Sequence, residues 1–259
     1  ILVPFGMKEC WQERHTLIGM NHLSSARNDR IYCSIHDDNY VGAWQDYVKS
    51  ISWVLLKNNY ELKGWEGVMT SNIPVGAGLG GGSSNIAAIL NFLCSKKIIK
   101  YNKALNIARE LGSDIEFFFD TAPAIIIGKG NVLRRINTFK EFYLLLVYPN
   151  FTLSTEKVYR NNSQFDTENQ IALDKEDYDF DNIMQLSSNS LQAAAIGLCP
   201  DIKYIIDKLA SMKGSLYSRM TGSGSCCFTV FSDKDMAQEA INTLKRKHSD
   251  WWVCLSKII

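Results

Sequence analysis

The residues with the most chemical content lie in one stretch, Pro74-Val-Gly-Ala-Gly-Leu-Gly-Gly-Gly-Ser-Ser-Asn85, which holds five of the chain's 17 glycines. Glycine reaches positive φ without a Cβ clash and lets backbone N–H groups approach a ligand closely. The apolar run after Ser83 and Ser84 reads as a helix whose free N–H groups and positive dipole end favour an anion. A phosphate chain is the natural occupant, and the competing reading is a linker or tight packing turn. A Walker loop needs a lysine, and none occurs between Pro74 and Asn85. The dinucleotide pattern is literally present at Gly76, Gly78 and Gly81. It lacks its acidic ribose partner, since no Asp or Glu occurs from Ala77 to Arg109.

Two further places could do chemistry. Asp114, in Leu111-Gly-Ser-Asp-Ile-Glu-Phe-Phe-Phe119, is a carboxylate followed by apolar residues. It can serve as a dry, orientable proton acceptor or as a helix or turn cap. Ser218-Arg-Met-Thr-Gly-Ser-Gly-Ser-Cys-Cys-Phe228 carries a second close-approach turn at Gly222, Ser223 and Gly224. Cys226 and Cys227 read as buried packing thiols, with no neighbouring base to activate them.

The elements that must position these groups follow from periodicity. Arg30–Ile35 and Gly67–Ser71 read as strands, the latter running towards Pro74. Trp44, Val48, Ile51 and Leu55 recur at helical spacing. Helices are expected over residues 83–94, 101–111, 182–197, 201–212 and 234–247. Ala124–Ile127, Phe142–Val147 and residues 251–258 are strand candidates, with a turn at Gly128–Gly130. Seven acidic residues between Arg160 and Asp181 mark an exposed connection between two halves. Strands and helices mix without regular alternation, so the fold class is α+β in two lobes.

Composition bounds the function. Lys+Arg number 28 and Asp+Glu 27, giving a formal net charge of +1, which excludes a strongly basic nucleic-acid binder. No apolar run reaches the roughly 20 residues of a membrane span, and the seven scattered cysteines fit thiols in a reducing, cytoplasmic setting. Neither a nucleic-acid nor a membrane partner is expected. The abrupt opening Ile1-Leu-Val-Pro leads us to expect further residues upstream.

The loop from Pro74 to Ser84 resembles the phosphate loop of the GHMP small-molecule kinases, residue by residue. Within that superfamily the chain resembles the 4-diphosphocytidyl-2-C-methyl-D-erythritol kinases of the non-mevalonate isoprenoid pathway. The Gly112–Phe119 segment is similar to their Gly-x-Asp-[Val/Ile]-Pro-Phe-Phe motif, with Glu116 replacing the proline. Tyr148–Tyr159 resembles a Pro…Ser-Thr…Tyr/Phe strand, and Arg219–Gly224 the second glycine motif. His15-Thr-Leu17 is similar to a Gly-Tyr-His-x-Leu motif, with Arg14 in the aromatic's place. The family's opening Lys has no counterpart here, and Lys8 does not fit its register.

The resemblance implies an N-terminal lobe like ribosomal protein S5 domain 2 over residues 1–148. It implies a ferredoxin-like lobe over 149–259. It implies ATP-dependent phosphorylation of the 2-hydroxyl of a cytidine diphosphate-linked methylerythritol, with Mg²⁺. Asp114 would be catalytic. Pro74, Gly76, Ala77, Gly78, Leu79, Gly80, Gly81, Gly82, Ser83 and Ser84 would hold ATP, Ser84 also touching magnesium. His15, Thr155, Tyr159, Gly222 and Ser223 would bind the acceptor, His15 reading the cytosine edge and Tyr159 stacking on its ring. Two alternatives stand beside this: another GHMP kinase acting on a sugar or mevalonate, or an inactive nucleotide-binding relative. Trp44-Gln-Asp-Tyr-Val-Lys49 bears a faint likeness to galactokinases.

Overall fold

The computed structural model describes residues 21–22, 31–35, 60, 65–71, 73–74, 76–120, 124–127, 132–135, 141–163, 184 and 187–258. The first part of the chain contributes β1 (Asn21–His22), β2 (Ile31–Ile35) and β3 (Trp65–Ser71), in the order β1-β3-β2. β2 runs parallel to β3 and β1 antiparallel to it. Helices α1 (Gly81–Ser95) and α2 (Tyr101–Leu111) follow, then a 3₁₀ turn at Glu116–Phe119. β4 (Ala124–Ile127) and β5 (Val132–Arg135) pair as an antiparallel hairpin. The expected helix near Trp44, the Gly128–Gly130 turn and nearly all of the acidic 160–181 connection lie outside the described residues.

α2 shows why its sequence folds as it does. Ala104, Ile107 and Ala108 fall on one face and are buried, packed with Ile86, Leu90 and Leu93 of α1. Ile115 closes that cluster, so the turn carrying Asp114 is anchored by an apolar residue immediately after it.

The C-terminal part is a four-stranded antiparallel sheet, ordered β7-β8-β6-β9, from β6 (Phe142–Tyr148), β7 (Ser215–Met220), β8 (Cys227–Phe231) and β9 (Trp252–Ile258). Helices α3 (Thr155–Asn161), α4 (Gln192–Leu198) and α5 (Asp201–Ala210) separate β6 from β7, and α6 (Lys234–Lys247) separates β8 from β9. This is the strand order of a ferredoxin-like β-α-β-β-α-β sandwich. β6 is one of the two interior strands of this sheet, paired with β8 on one side and β9 on the other.

β6 is apolar throughout because both of its faces are covered, and alternate side chains serve different cores. Leu145 and Val147 pack with Val158, Ile202, Ile205, Leu209, Ile241 and Leu244 of the helices. Leu144, Leu146 and Tyr148 face the other way, onto Ala77 and Leu79 of the glycine loop. Each fully buried leucine here contributes roughly 1.5–3 kcal/mol of transfer free energy. α6 begins at Asp233, whose Oδ1 accepts from the Met236 N–H at 2.8 Å, and ends on Lys245, Arg246 and Lys247, which complement the dipole.

Three expectations are corrected. The segment resembling a strand up to Tyr159 is helical from Thr155, because Ser154 caps it by accepting from the Lys157 N–H at 3.3 Å. The helix expected over 182–197 is interrupted: Met184 is helical, residues 187–191 are not, and α4 runs from Gln192 to Leu198, with Asn189 in the break tied to β7 by its side chain. Cys94, Cys199, Cys226 and Cys227 are free thiols, whereas Cys254 is disulfide-bonded.

Candidate active site

The glycine loop alternates two kinds of residue. Ala77 and Leu79 are buried anchors against β6, while Gly76, Gly78 and Gly80 between them take φ of 72°, 74° and 70°. Each of these left-handed glycines is also where another segment makes close approach. A Cβ on Gly76 would stand 2.9 Å from Thr152 Cγ2, and one on Gly80 would stand 2.5 Å from the Phe118 ring. A Cβ on Gly78 would meet the carbonyls of Thr221 and Gly224 at 2.9 Å. Three parts of the chain therefore converge on five residues.

α1 starts at Gly81, not at the serines, and Gly80 caps it in the left-handed conformation with no side chain closing the end. The first backbone bond of this end is Ser84 N–H to Gly80 carbonyl at 3.0 Å. The N–H groups of Gly81, Gly82 and Ser83 belong to the open first turn, the arrangement that receives an anion. Ser84 is buried and donates its hydroxyl to the Gly81 carbonyl at 2.7 Å, which leaves its lone pairs as acceptors. Pro74 is half-buried just ahead of the loop, and Gly82 and Ser83 are half-buried at the helix start.

The second glycine turn is clasped onto the first. Thr221 Oγ1 donates to the Gly78 carbonyl at 2.7 Å, and the Cys226 N–H donates to the Ala77 carbonyl at 3.2 Å. The turn is closed on itself by Thr221 N–H to Cys226 carbonyl and Gly224 N–H to Thr221 carbonyl, at 2.9 and 2.8 Å. Ser223 is buried, and its hydroxyl lies 2.9 Å from the Thr155 hydroxyl on α3. Gly222 is exposed, and Tyr159, one helical turn beyond Thr155, is 47% exposed. That exposure leaves the Tyr159 ring free to stack, where a strand position would have packed it into the core. His15 lies outside the described residues.

Asp114 sits in the turn between α2 and the 3₁₀ turn, and it is exposed. The dry setting expected from its apolar neighbours is not what the fold makes. Ile115 and Phe117 turn into the core and leave the carboxylate on the solvent side, with the Ser113 hydroxyl donating to Oδ1 at 3.1 Å. The segment is tied to the site through Phe118 against Gly80 and through Asn91, whose amide donates to the Phe119 carbonyl at 3.2 Å.

Sequence reasoning missed the strap that holds the second turn. Asn189 donates to the carbonyls of Met220 and Gly222 at 2.8 and 2.9 Å and accepts from the Leu191 N–H at 3.0 Å. Gln192 accepts from the Met220 N–H at 3.0 Å. Arg219 donates to the Ser187 hydroxyl at 2.9 Å and to the Met184 carbonyl. Burial lowers the Arg219 pKa, partly offset by Tyr217. Isolated amides in a polar stretch give no periodic signal, so only tertiary pairing reveals them.

Among the described residues no group of three or more His, Cys, Asp or Glu could hold a metal, and no helix is long and apolar enough to cross a membrane.

Residues 46–128 match the family model described as GHMP kinases N terminal domain, and residues 174–250 match GHMP kinases C terminal, more than half of the chain together. A 4-diphosphocytidyl-2-C-methyl-D-erythritol kinase of Pelagibacter ubique (strain HTCC1062) is 32% identical, over 86% of this chain and 82% of its own length. The kinase of the same name from Anaplasma phagocytophilum (strain HZ) is 32% identical over 73% of this chain and 64% of its own. The fold is also that of a crystal structure of 4-(cytidine 5'-diphospho)-2C-methyl-D-erythritol kinase. It superposes with TM-score 0.70 at 22% identity, covering 93% of this chain and 84% of that one. Its matched domains, clasped glycine turns and similarity over most of its length make this chain a member of the GHMP kinase family of ATP-dependent small-molecule kinases, in the branch of the 4-diphosphocytidyl-2-C-methyl-D-erythritol kinases.

Proposed function

We propose that this chain transfers the γ-phosphoryl group of ATP to the 2-hydroxyl of 4-diphosphocytidyl-2-C-methyl-D-erythritol, in isoprenoid precursor synthesis. The observation that carries this reading is the contact of Phe118, four residues after Asp114, with Gly80, the residue that caps α1. The triphosphate lies along Gly76–Ser84, held by backbone N–H groups and the helix end. The acceptor oxygen bonds to the γ-phosphorus as the bond to the β,γ-bridging oxygen breaks, ADP leaves, and the hydroxyl proton passes to the Asp114 carboxylate. Ser84 would be the protein ligand of a magnesium ion, which would supply charge neutralisation there.

The acceptor side consists of Gly222, Ser223, Thr155 and Tyr159. The Thr155–Ser223 pair offers hydroxyls beside the second turn, and the exposed Tyr159 ring offers a face to the cytosine. His15 completes this side in the same reading. Strand pairing supports dividing the lobes before Phe142, one strand earlier than residue 148. We place the reaction in the cytoplasm, which the free thiols of Cys94, Cys199, Cys226 and Cys227 suit and the disulfide-bonded Cys254 does not.

Asp114→Asn tests the assignment. Loss of a positioned general base predicts a fall in kcat of about 10²–10⁴-fold, with ATP affinity by calorimetry unchanged. Turnover close to that of the parent would overturn it.

A further inference from the structure

Glu116 stands where the resembled motif has proline, and the structure gives it a partner. Arg109, in the last turn of α2, donates from Nε to Glu116 Oε2 at 2.6 Å and from Nη2 to Oε1 at 2.7 Å. This two-pronged fork has the geometry that fixes both groups in one relative orientation. It closes a short loop around Asp114. Arg109 lies five residues before Asp114, Glu116 lies two after it, and only Gly112 and Ser113 separate Asp114 from the end of α2.

We propose that the Arg109–Glu116 pair is a positioning device for Asp114, taking over the rigidity that a proline would give this turn. The only side chain the structure places on the Asp114 carboxylate, among the described residues, is the neighbouring Ser113 hydroxyl. Its direction is therefore set by its backbone, and that backbone is a turn held by bonds from Gly112 N–H to Ala108 and from Ile115 N–H to Gly112, at 3.0 and 3.3 Å. Gly112 gives this turn no side-chain restraint. The salt bridge pins the far side of the turn to α2, while Asn91 and Phe118 pin the 3₁₀ turn to α1 and to Gly80. Arg109 is 53% exposed and Glu116 15%, so the pair adds little to global stability. Its effect falls on geometry, where a displacement of about 1 Å in a reacting group costs on the order of 100-fold in rate.

The inference rests on the reading of Asp114 as the proton acceptor, and the experiment separates the two. Steady-state kinetics of the full chain with ATP and 4-diphosphocytidyl-2-C-methyl-D-erythritol are measured for Glu116→Gln, Arg109→Gln and the exchanged pair Arg109→Glu with Glu116→Arg. Each single variant is expected to lose about tenfold in kcat, part of the range set by misplacement. KM for ATP and the thermal midpoint stay near the parent's, and the exchanged pair recovers most of the rate. Placed on Asp114→Asn, Glu116→Gln is expected to change the single-turnover rate less than twofold, because residues acting as a unit are not additive. A kcat within twofold of the parent in both single variants, a loss that follows the thermal midpoint, or full additivity with Asp114→Asn overturns the positioning role alone. An active Asp114→Asn overturns the reading beneath it as well, a pattern distinct from an inactive Asp114→Asn beside an active Glu116→Gln.

Discussion

Thr221 and Gly78, 143 positions apart, share a hydrogen bond of 2.7 Å from the threonine hydroxyl to the glycine carbonyl. The same Gly78 has a φ of 74° and no room for a Cβ between the Thr221 and Gly224 carbonyls. Sequence-distant glycine turns thus form one rigid object.

Gly78→Ala should be the most damaging single change in the loop. A left-handed alanine costs about 1–2 kcal/mol before any clash is counted, and the clash here is with backbone that cannot rotate away. Thr221→Val keeps the shape and removes the donor, leaving the Gly78 carbonyl short of a partner at a cost of about 1–3 kcal/mol. Calorimetry should find ATP binding lost in the first variant and weakened in the second, with the thermal midpoint lowered in both. Unaltered ATP affinity in Gly78→Ala would exclude the loop as the nucleotide site.

Tyr159 is half exposed on α3 and belongs to neither core, so Tyr159→Ala should leave the thermal midpoint near that of the parent. Stacking on a base contributes about 1–3 kcal/mol, so KM for the cytidine-bearing acceptor should rise by tenfold or more. KM for ATP should stay constant, and Tyr159→Phe should behave as the parent. A rise in the ATP constant instead would move the ring to the donor side.

Cys226 and Cys227 lie under the second turn, and burial pushes the Cys227 thiol up to about 12 and the Cys226 thiol well above its usual value. A neutral thiol is a poor nucleophile. Iodoacetamide at pH 8 should therefore spare both in the native protein and modify them after denaturation, whereas the partly exposed Cys199 reacts under native conditions. Peptide mass mapping reads the difference. Native labelling of Cys227 would show that the turn opens.

Much of this was legible in the residues, for physical reasons that differ by element. Lys234–Lys247 and Tyr101–Leu111 matched their expected spans because an apolar stripe at helical spacing and clear ends specify a helix locally. Phe142–Tyr148 read as a buried strand, but an unbroken apolar run does not say which strands it pairs with, and those are β8 and β9. The start of α1 was displaced from the serines to Gly81, because a left-handed Gly80 caps the helix without a side chain. The surroundings of Asp114 were misjudged, since its neighbours in sequence, Ile115 and Phe117, turn away from it into the core. Asn189 carried no signal, because its role exists only once β7 and the second turn are folded.

The clasp between Gly78 and Thr221 also dates the site in the life of the molecule. During synthesis the first loop leaves the ribosome long before the second turn is made, so a nascent chain holds only half of the clasp. With the nucleotide on this loop, as proposed, its capture would be a late event, dependent on β6 having found β8. ATP, by binding the finished form alone, would act as a proofreader of completed folding and draw partly assembled chains towards it by mass action.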